Sequence, residues 1–457
     1  MHATAATPDC ARDRHLFGPG PKRILSLDGG GVRGAISVAF LEQIEKVLTE
    51  NLKKKVRLGD YFDLVGGTST GAIIAGALAL GYTIADIKRF YFELTLIVFR
   101  RPFWRVIGLQ AKFDAAALRK EIEDVVGDCT LGSKELITGL CVISKRMDTG
   151  SPWILANNPR SPYWKTVPAD PTTSQQGYTG NTHYKLANLV RASTAAPFYF
   201  DPEWLPIVEG EPPGLFVDGG VTPHNNPSLM LFLMTILTPY KLCWKTGPDH
   251  LTIVSVGTGS SRDRLVPEEL GMGRTTKLAI RALTSLMNDV QTFILMQMQY
   301  LGQCLTPWWI NSEVGTLANE MPPDGNLFRY LRYDVRLELP WIEEHMGAEV
   351  KDAFGRNLTE LDVIRMRSMD DPTIVEDIYK LAKIAAEKQV KAEHWVDDVP
   401  SWCDGTAQSA AAARKQASRQ ERAPPQPSLW LKVSKSISVA LSKLRARLVR
   451  MRNPDRT

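Results

Sequence analysis

Two short apolar runs, each broken by a glycine-rich turn and each followed by helix-like sequence, constrain this chain more than any other feature. Arg23-Ile24-Leu25-Ser26-Leu27 leads into Asp28-Gly29-Gly30-Gly31-Val32-Arg33-Gly34, and Tyr61-Phe62-Asp63-Leu64-Val65-Gly66 into Gly67-Thr68-Ser69-Thr70-Gly71. Strand, tight turn and helix in succession is the unit from which parallel sheets are built. The second turn fits G-x-S-x-G, a corner that exposes a serine hydroxyl to an incoming acyl group, and the small residues Ala72 to Ala79 behind it permit close packing of the helix. The glycines of the first turn let backbone N–H groups converge on the oxyanion that such an attack creates.

The rest of the chain continues the alternation. Strand-like runs fall at 22–28, 61–67, 136–144, 214–218, 250–257 and 329–337, and helix-like runs at 34–50, 70–81, 84–95, 114–126, 184–194, 226–238 and 275–302. The expected fold is α/β, a largely parallel central sheet with helices on both faces, three layers in all. Residues 341–400 read as a C-terminal helical extension packing on the domain formed by 22–340, including Ile374 to His394 with apolar spacing at Ile378, Leu381, Ile384 and Ala385. Residues 1–21 read as a flexible leader. Segment 145–181, rich in Pro, Ser, Thr, Asn and Gly, reads as a surface insertion or lid-like loop. Residues 401–428, ending in Pro424-Pro425-Gln426-Pro427, read as a linker.

Charge is distributed unevenly. Residues 401–457 hold twelve Lys/Arg against Asp404, Glu421 and Asp455, an excess of nine that leaves the first 400 residues at −4 within a chain of net +5. At 429–453, Trp430, Val433, Ile437, Leu441, Leu444, Leu448 and Met451 recur at helical spacing, with seven Lys/Arg between Lys432 and Arg452, which makes a basic amphipathic helix. Its partner is expected to be an anionic membrane surface reached through residues 429–452, with packing on the catalytic domain or another protomer as the alternative; nucleic acid is not expected. Asp9, Arg12, Asp13 and Arg14 stand where a secretory signal would need its apolar stretch, and no run reaches the length of a membrane span. The six scattered cysteines lack metal or disulfide spacing and read as free, mostly buried thiols of a reducing compartment. The expected location is therefore cytoplasmic, with peripheral association to membrane.

Gly29, Gly31 and Gly34 also fit the dinucleotide pattern G-x-G-x-x-G, but about 20 positions on, where an acidic residue should follow, stand Lys53, Lys54 and Lys55. That cofactor reading fails. A nucleophilic serine needs a base. The late histidines His345 and His394 lie in charged helical sequence, and His250 opens a strand. Asp218 is better placed, at the end of Leu215-Phe216-Val217 and before Gly219-Gly220, where strand ends in such sheets assemble sites.

These three motifs, in this order, resemble the patatin-like phospholipases. Arg191-Ala-Ser-Thr-Ala-Ala-Pro-Phe-Tyr-Phe200, Asn225-Asn226-Pro227 and Ser255-Val256-Gly257-Thr258-Gly259 extend the resemblance over roughly residues 22 to 395. It implies a lipid acyl hydrolase of phospholipase A type, with phospholipid or glycerolipid as substrate, Ser69 as nucleophile and Asp218 as general base. Gly29, Gly30 and Gly31 would form the oxyanion hole. Arg33, Gly34, Gly67, Gly71, Gly219 and Gly220 would support the motifs, and no metal or cofactor is required. A protein or small-molecule activator is left open. Two alternatives stand beside this expectation: a non-catalytic lipid-binding or membrane-associated protein on the same fold, and a Ser–His–Asp esterase using His224.

Overall fold

The computed structural model describes residues 10–99, 113–168, 177–208, 210–262 and 274–395. Among these, nine strands form one sheet: β1 (Lys22–Leu27), β2 (Leu64–Thr68), β3 (Gly139–Arg146), β4 (Ser151–Ala156), β5 (Glu203–Leu205), β6 (Gly214–Asp218), β7 (Leu251–Val256), β8 (Gly302–Cys304) and β9 (Phe328–Tyr333). The order is β5-β6-β3-β2-β1-β7-β9-β8, with β4 pairing on β3 beside that path. β1, β2, β3, β7, β8 and β9 run parallel to their neighbours in this set, while β4 and β6 lie antiparallel to β3 and β5 antiparallel to β6.

β1 is buried along its whole length, and its side chains divide between two cores. Leu25 and Leu27 join a cluster with helices Gly34–Leu52, Thr70–Ala79, Ile84–Val98 and Val375–Gln389. Ile24 joins a second cluster with helix Ser228–Ile236 and the end of helix Arg274–Leu301. Period-two alternation thus places a helical layer on each face, the three-layer arrangement expected. From β1 the chain winds outward through β2 to β3, then returns to the other side of β1 for β7 and β9. The gap between the carboxyl ends of β1 and β7 is therefore the topological switch point, where crevices open in doubly wound sheets.

Several expectations are corrected. The leader is ordered from Cys10, because helix Ala11–Phe17 docks by burying Leu16, whose carbonyl accepts the Trp244 indole N–H at 2.8 Å, while His15 meets Asp63 at 3.0 Å. The strand expected at 61–67 begins only at Leu64, since Leu58–Tyr61 closes a helical turn and Tyr61 packs edge-on against Phe62. Segment 145–181 contains β4, where pairing with β3 overrides weak local periodicity. β5 and β8, three residues each, are too short for periodicity to register. Residues 341–395 form helices Leu339–Phe354, Glu360–Met366 and Val375–Gln389, the last packing on Gly34–Leu52. Cys10, Cys141, Cys243 and Cys304 are free and Cys129 is buried, but Cys243 is exposed rather than buried. Cys403, the linker and the basic amphipathic helix lie outside the described residues.

Candidate active site

Sheet register brings the two reactive side chains together. Thr68 of β2 pairs with Ile143 of β3, and Asp218 of β6 pairs with the next residue, Ser144, on the same edge of β3, the other edge being taken by β4. One residue past Thr68, Ser69 turns with φ 56° and ψ −125°, a left-handed, strained conformation for a residue with a side chain. Close approach enforces glycine on both sides of this corner: a Cβ at Gly67 would lie 2.2 Å from the Gly71 carbonyl, and one at Gly71 would lie 2.3 Å from the Leu27 carbonyl. The Ser69 N–H donates to Ser193 Oγ at 2.9 Å, and Ser193 Oγ donates to the Ile143 carbonyl at 2.6 Å, which fixes the turn to β3.

Ser69 Oγ donates to Asp218 Oδ2 at 2.6 Å. The other carboxylate oxygen accepts the Gly220 N–H at 2.6 Å, and the Asp218 N–H is held by the Ala195 carbonyl at 3.0 Å. Gly219 and Gly220 thus wrap the backbone around the carboxylate. Burial lifts the Asp218 carboxyl to about 6, against the opposing pull of the Ser69 hydrogen bond, the Gly220 N–H and the charge of Arg191. A carboxylate in this state remains ionised near neutrality and is more basic than an exposed one.

The glycine loop lies beside the serine. Gly29 donates its N–H to the Asn225 carbonyl at 3.1 Å, which commits that donor to the scaffold. Gly30 donates to Thr70 Oγ1 at 3.2 Å, and Gly31, at φ 59°, makes no N–H hydrogen bond among the described residues. Val32 N–H is anchored by the Met369 carbonyl at 2.9 Å and Tyr91 OH donates to the Gly31 carbonyl, so residues beyond the sheet clamp the loop. Gly34 opens the following helix, and Arg33 bonds through its N–H to the Gly30 carbonyl at 3.2 Å.

His224 is half-buried and apart from this chemistry. Its Nδ1 has no partner, burial holds its ring below the ordinary histidine value, and its carbonyl accepts Thr68 Oγ1 at 2.6 Å. Among the described residues, neither ring nitrogen bonds Ser69 or Asp218. Reading the sequence missed Ser193, Thr70 and Asn225 as supports, although Ser193 and Asn225 stand within quoted motifs. It also missed the fully buried cluster under the glycine loop, in which Arg332 donates to Asp28 at 2.7 Å, Asp334 at 2.8 Å and Ser255 at 2.8 Å. Burial raises Asp28 to about 6 despite Arg332, and the two carboxylates hold the Arg332 guanidinium charged against burial.

With this geometry in place, comparison with known proteins supplies the family. The patatin-like phospholipase model matches residues 25–232. These residues belong to the patatin-like phospholipase family. Similar proteins include a cGAMP-activated phospholipase of Escherichia coli (strain TW11681), 28% identical across 56% of this chain and 67% of that one. Patatin-like protein 4 of Arabidopsis thaliana is 30% identical across 52% of this chain and 60% of that one. A cUMP-AMP-activated phospholipase of Escherichia coli is 29% identical across 52% and 64%. The chain thus spans about three fifths to two thirds of the length of these patatin-like relatives. No described helix is long and apolar enough to cross a membrane, and no cluster of metal-ligating side chains occurs among the described residues.

Proposed function

We propose that this patatin-like chain hydrolyses fatty acyl esters of phospholipids or related glycerolipids. The observation that carries the reading is the 2.6 Å hydrogen bond from Ser69 on its strained corner to the buried Asp218 carboxylate. In the first half-reaction Ser69 Oγ bonds to the acyl carbon while its proton passes to Asp218 Oδ2. The carbonyl oxygen takes the negative charge beside the N–H groups of Gly30 and Gly31, the former exchanging Thr70 Oγ1 for the oxyanion. Collapse breaks the ester C–O bond, and the proton leaves on the departing alcohol. Water then attacks the acyl-serine, gives its proton to Asp218, and the C–Oγ bond breaks to release the fatty acid as the proton returns to Ser69.

The names of two relatives support a further element, control by a small phosphorylated effector, and the seven basic residues between Lys432 and Arg452 support recruitment to anionic membrane. The test of the hydrolase reading is release of fatty acid from phospholipid vesicles by Ser69→Ala. A loss of at least about a thousandfold is expected, in line with removal of other serine nucleophiles; hydrolysis at the unsubstituted rate would refute it. His224→Ala should hydrolyse as the unsubstituted protein does, and its inactivity would move the base to histidine.

A further inference from the structure

The segment Ser255-Val256-Gly257-Thr258-Gly259 carries the chain from the end of β7 to the glycine loop and gives no reactive group to the Ser69–Asp218 pair. Its backbone is tied down on both sides of Thr258. The Val256 carbonyl accepts the Asp28 N–H at 3.1 Å, and Gly257 N–H donates to the Tyr333 carbonyl at 2.8 Å. The Gly257 carbonyl accepts the Ser37 hydroxyl at 2.9 Å, and Gly259 N–H donates to Asp334 Oδ1 at 2.8 Å. Thr258 itself is 4% exposed and stands directly against the loop: a Cβ at Gly30 would lie 2.3 Å from its Oγ1 and 2.4 Å from its Cβ.

The peptides of the loop are held in different ways. Gly29 N–H is committed to the Asn225 carbonyl at 3.1 Å, so the amides left to meet an oxyanion are those of Gly30 and Gly31. The peptide plane that carries the Gly30 N–H has the Gly29 carbonyl at its other end. That carbonyl accepts Thr258 Oγ1 at 2.8 Å, with Asn225 Nδ2 a more distant donor at 3.5 Å. In a trans peptide the N–H and C=O point in opposite directions, so a bond that fixes the oxygen also fixes where the hydrogen points. The same bond draws electron density toward the oxygen and makes the N–H a stronger donor, the cooperative effect of hydrogen bonds in series. The plane that carries the Gly31 N–H is held by main chain instead, the Gly30 carbonyl accepting the Arg33 N–H at 3.2 Å. Among the described residues Thr258 makes no hydrogen bond to Ser69 or Asp218.

We propose that Thr258 is a positioning residue of the oxyanion hole: its hydroxyl, acting through the Gly29 carbonyl, orients and strengthens the Gly30 N–H that meets the developing negative charge. That N–H rests on Thr70 Oγ1 at 3.2 Å and leaves it for the oxyanion. With the carbonyl end of the plane pinned by Thr258, the change of partner needs little reorganisation, and a donor aimed before charge develops is the one that lowers the barrier. This role rests on the hydrolase reading. It concerns the stabilisation of the transition state; substrate binding and the basicity of Asp218 lie outside it.

The test is steady-state hydrolysis of a soluble short-chain ester, p-nitrophenyl butyrate, by variants of the full chain. Thr258→Val keeps the branched shape without the hydroxyl, Thr258→Ala removes the hydroxyl and sets no added bulk against the Gly29 carbonyl, and Thr258→Ser keeps the hydroxyl. In the valine and alanine variants kcat should fall at least about tenfold, short of the roughly hundredfold or more that loss of a whole donor costs, with KM within about twofold. Thr258→Ser should recover kcat to within about threefold of the unsubstituted protein. A trifluoromethyl ketone, which closes to a tetrahedral hemiketal on Ser69, should lose affinity in step with kcat/KM, and the acid limb near pH 6 that belongs to Asp218 should stay in place. Undiminished kcat in both Thr258→Val and Thr258→Ala overturns the role. So does a Thr258→Ser as slow as those two, which would make packing of the methyl group the cause, and so does a displaced acid limb, which would trace the loss to a disturbed Asp218. Ser69→Ala separates this role from the reading beneath it: hydrolysis at the unsubstituted rate by that variant strikes the hydrolase reading itself, and the role of Thr258 with it.

Discussion

Replacing Asp218 by asparagine should abolish hydrolysis and stabilise the fold at once. The carboxyl is 4% exposed and is lifted by burial from the ordinary 3.8 to about 6. A displacement of about two units corresponds to about 3 kcal/mol at 1.36 kcal/mol per unit. The sign follows from which state holds the proton more tightly. Between about 4 and 6 the folded protein keeps Asp218 protonated while the unfolded chain has released the proton, so this contribution to stability is complete below the unfolded value and is lost as pH rises through about 6. Asparagine does not titrate, keeps an oxygen for the Gly220 N–H and a polar group for Ser69, and escapes that loss. Urea denaturation of both proteins from pH 4 to pH 8 should therefore show the stability difference moving in favour of Asp218→Asn by about 3 kcal/mol. Asp28, also raised to about 6, titrates in both proteins and cancels from the comparison. For the unsubstituted enzyme, kcat/KM should fall as pH drops below about 6, where the base becomes protonated. A difference independent of pH, or one that grows toward acid, would refute the claim that Asp218 is held as a destabilised carboxylate.

Other perturbations follow from the same geometry. Gly30→Ala would place a Cβ 2.3 Å from Thr258 Oγ1, so the loop must shift; loss of an oxyanion donor costs about 2.7–4 kcal/mol, read as a fall of about a hundredfold to a thousandfold in kcat with the fold intact by circular dichroism. Arg332→Met leaves Asp28 and Asp334 facing each other without their cation and should destabilise the protein by about 3–5 kcal/mol in denaturant titrations, whereas an exposed pair such as Arg356–Asp362 should cost under about 1 kcal/mol when broken. Deleting residues 429–457 should weaken co-sedimentation with anionic vesicles while leaving hydrolysis of a soluble short-chain ester unchanged.

The parts of this molecule that the sequence made legible are those in which one local pattern has one physical solution. A G-x-S-x-G turn between an apolar strand and a small-residue helix leaves little choice of geometry, and the strand at 214–218, which ends in Asp218, is found where its apolar run predicts. What was not legible is whatever depends on register between distant segments. Nothing near Ser69 in sequence announces that Ser193, 124 residues away, caps its N–H, or that Arg332 stands 304 residues beyond Asp28 and neutralises it. The leader was misread for the same reason, since Leu16 is an ordinary apolar residue until Trp244 and the second core give it a place.

The arrangement of charge beneath the glycine loop explains why the motif opens with aspartate. Asp28 is fully buried, and an isolated carboxylate there would be expelled or neutralised. Arg332 reaches it from β9, two strands away across β7, so that the strand bearing the glycine loop is tied to the strand whose continuation carries Asp334. Gln291 adds a bond to Asp28 at 3.3 Å from helix Arg274–Leu301. The backbone immediately before Gly29 is therefore fixed by Arg332 and Gln291, two and three residues ahead of Gly30 and Gly31.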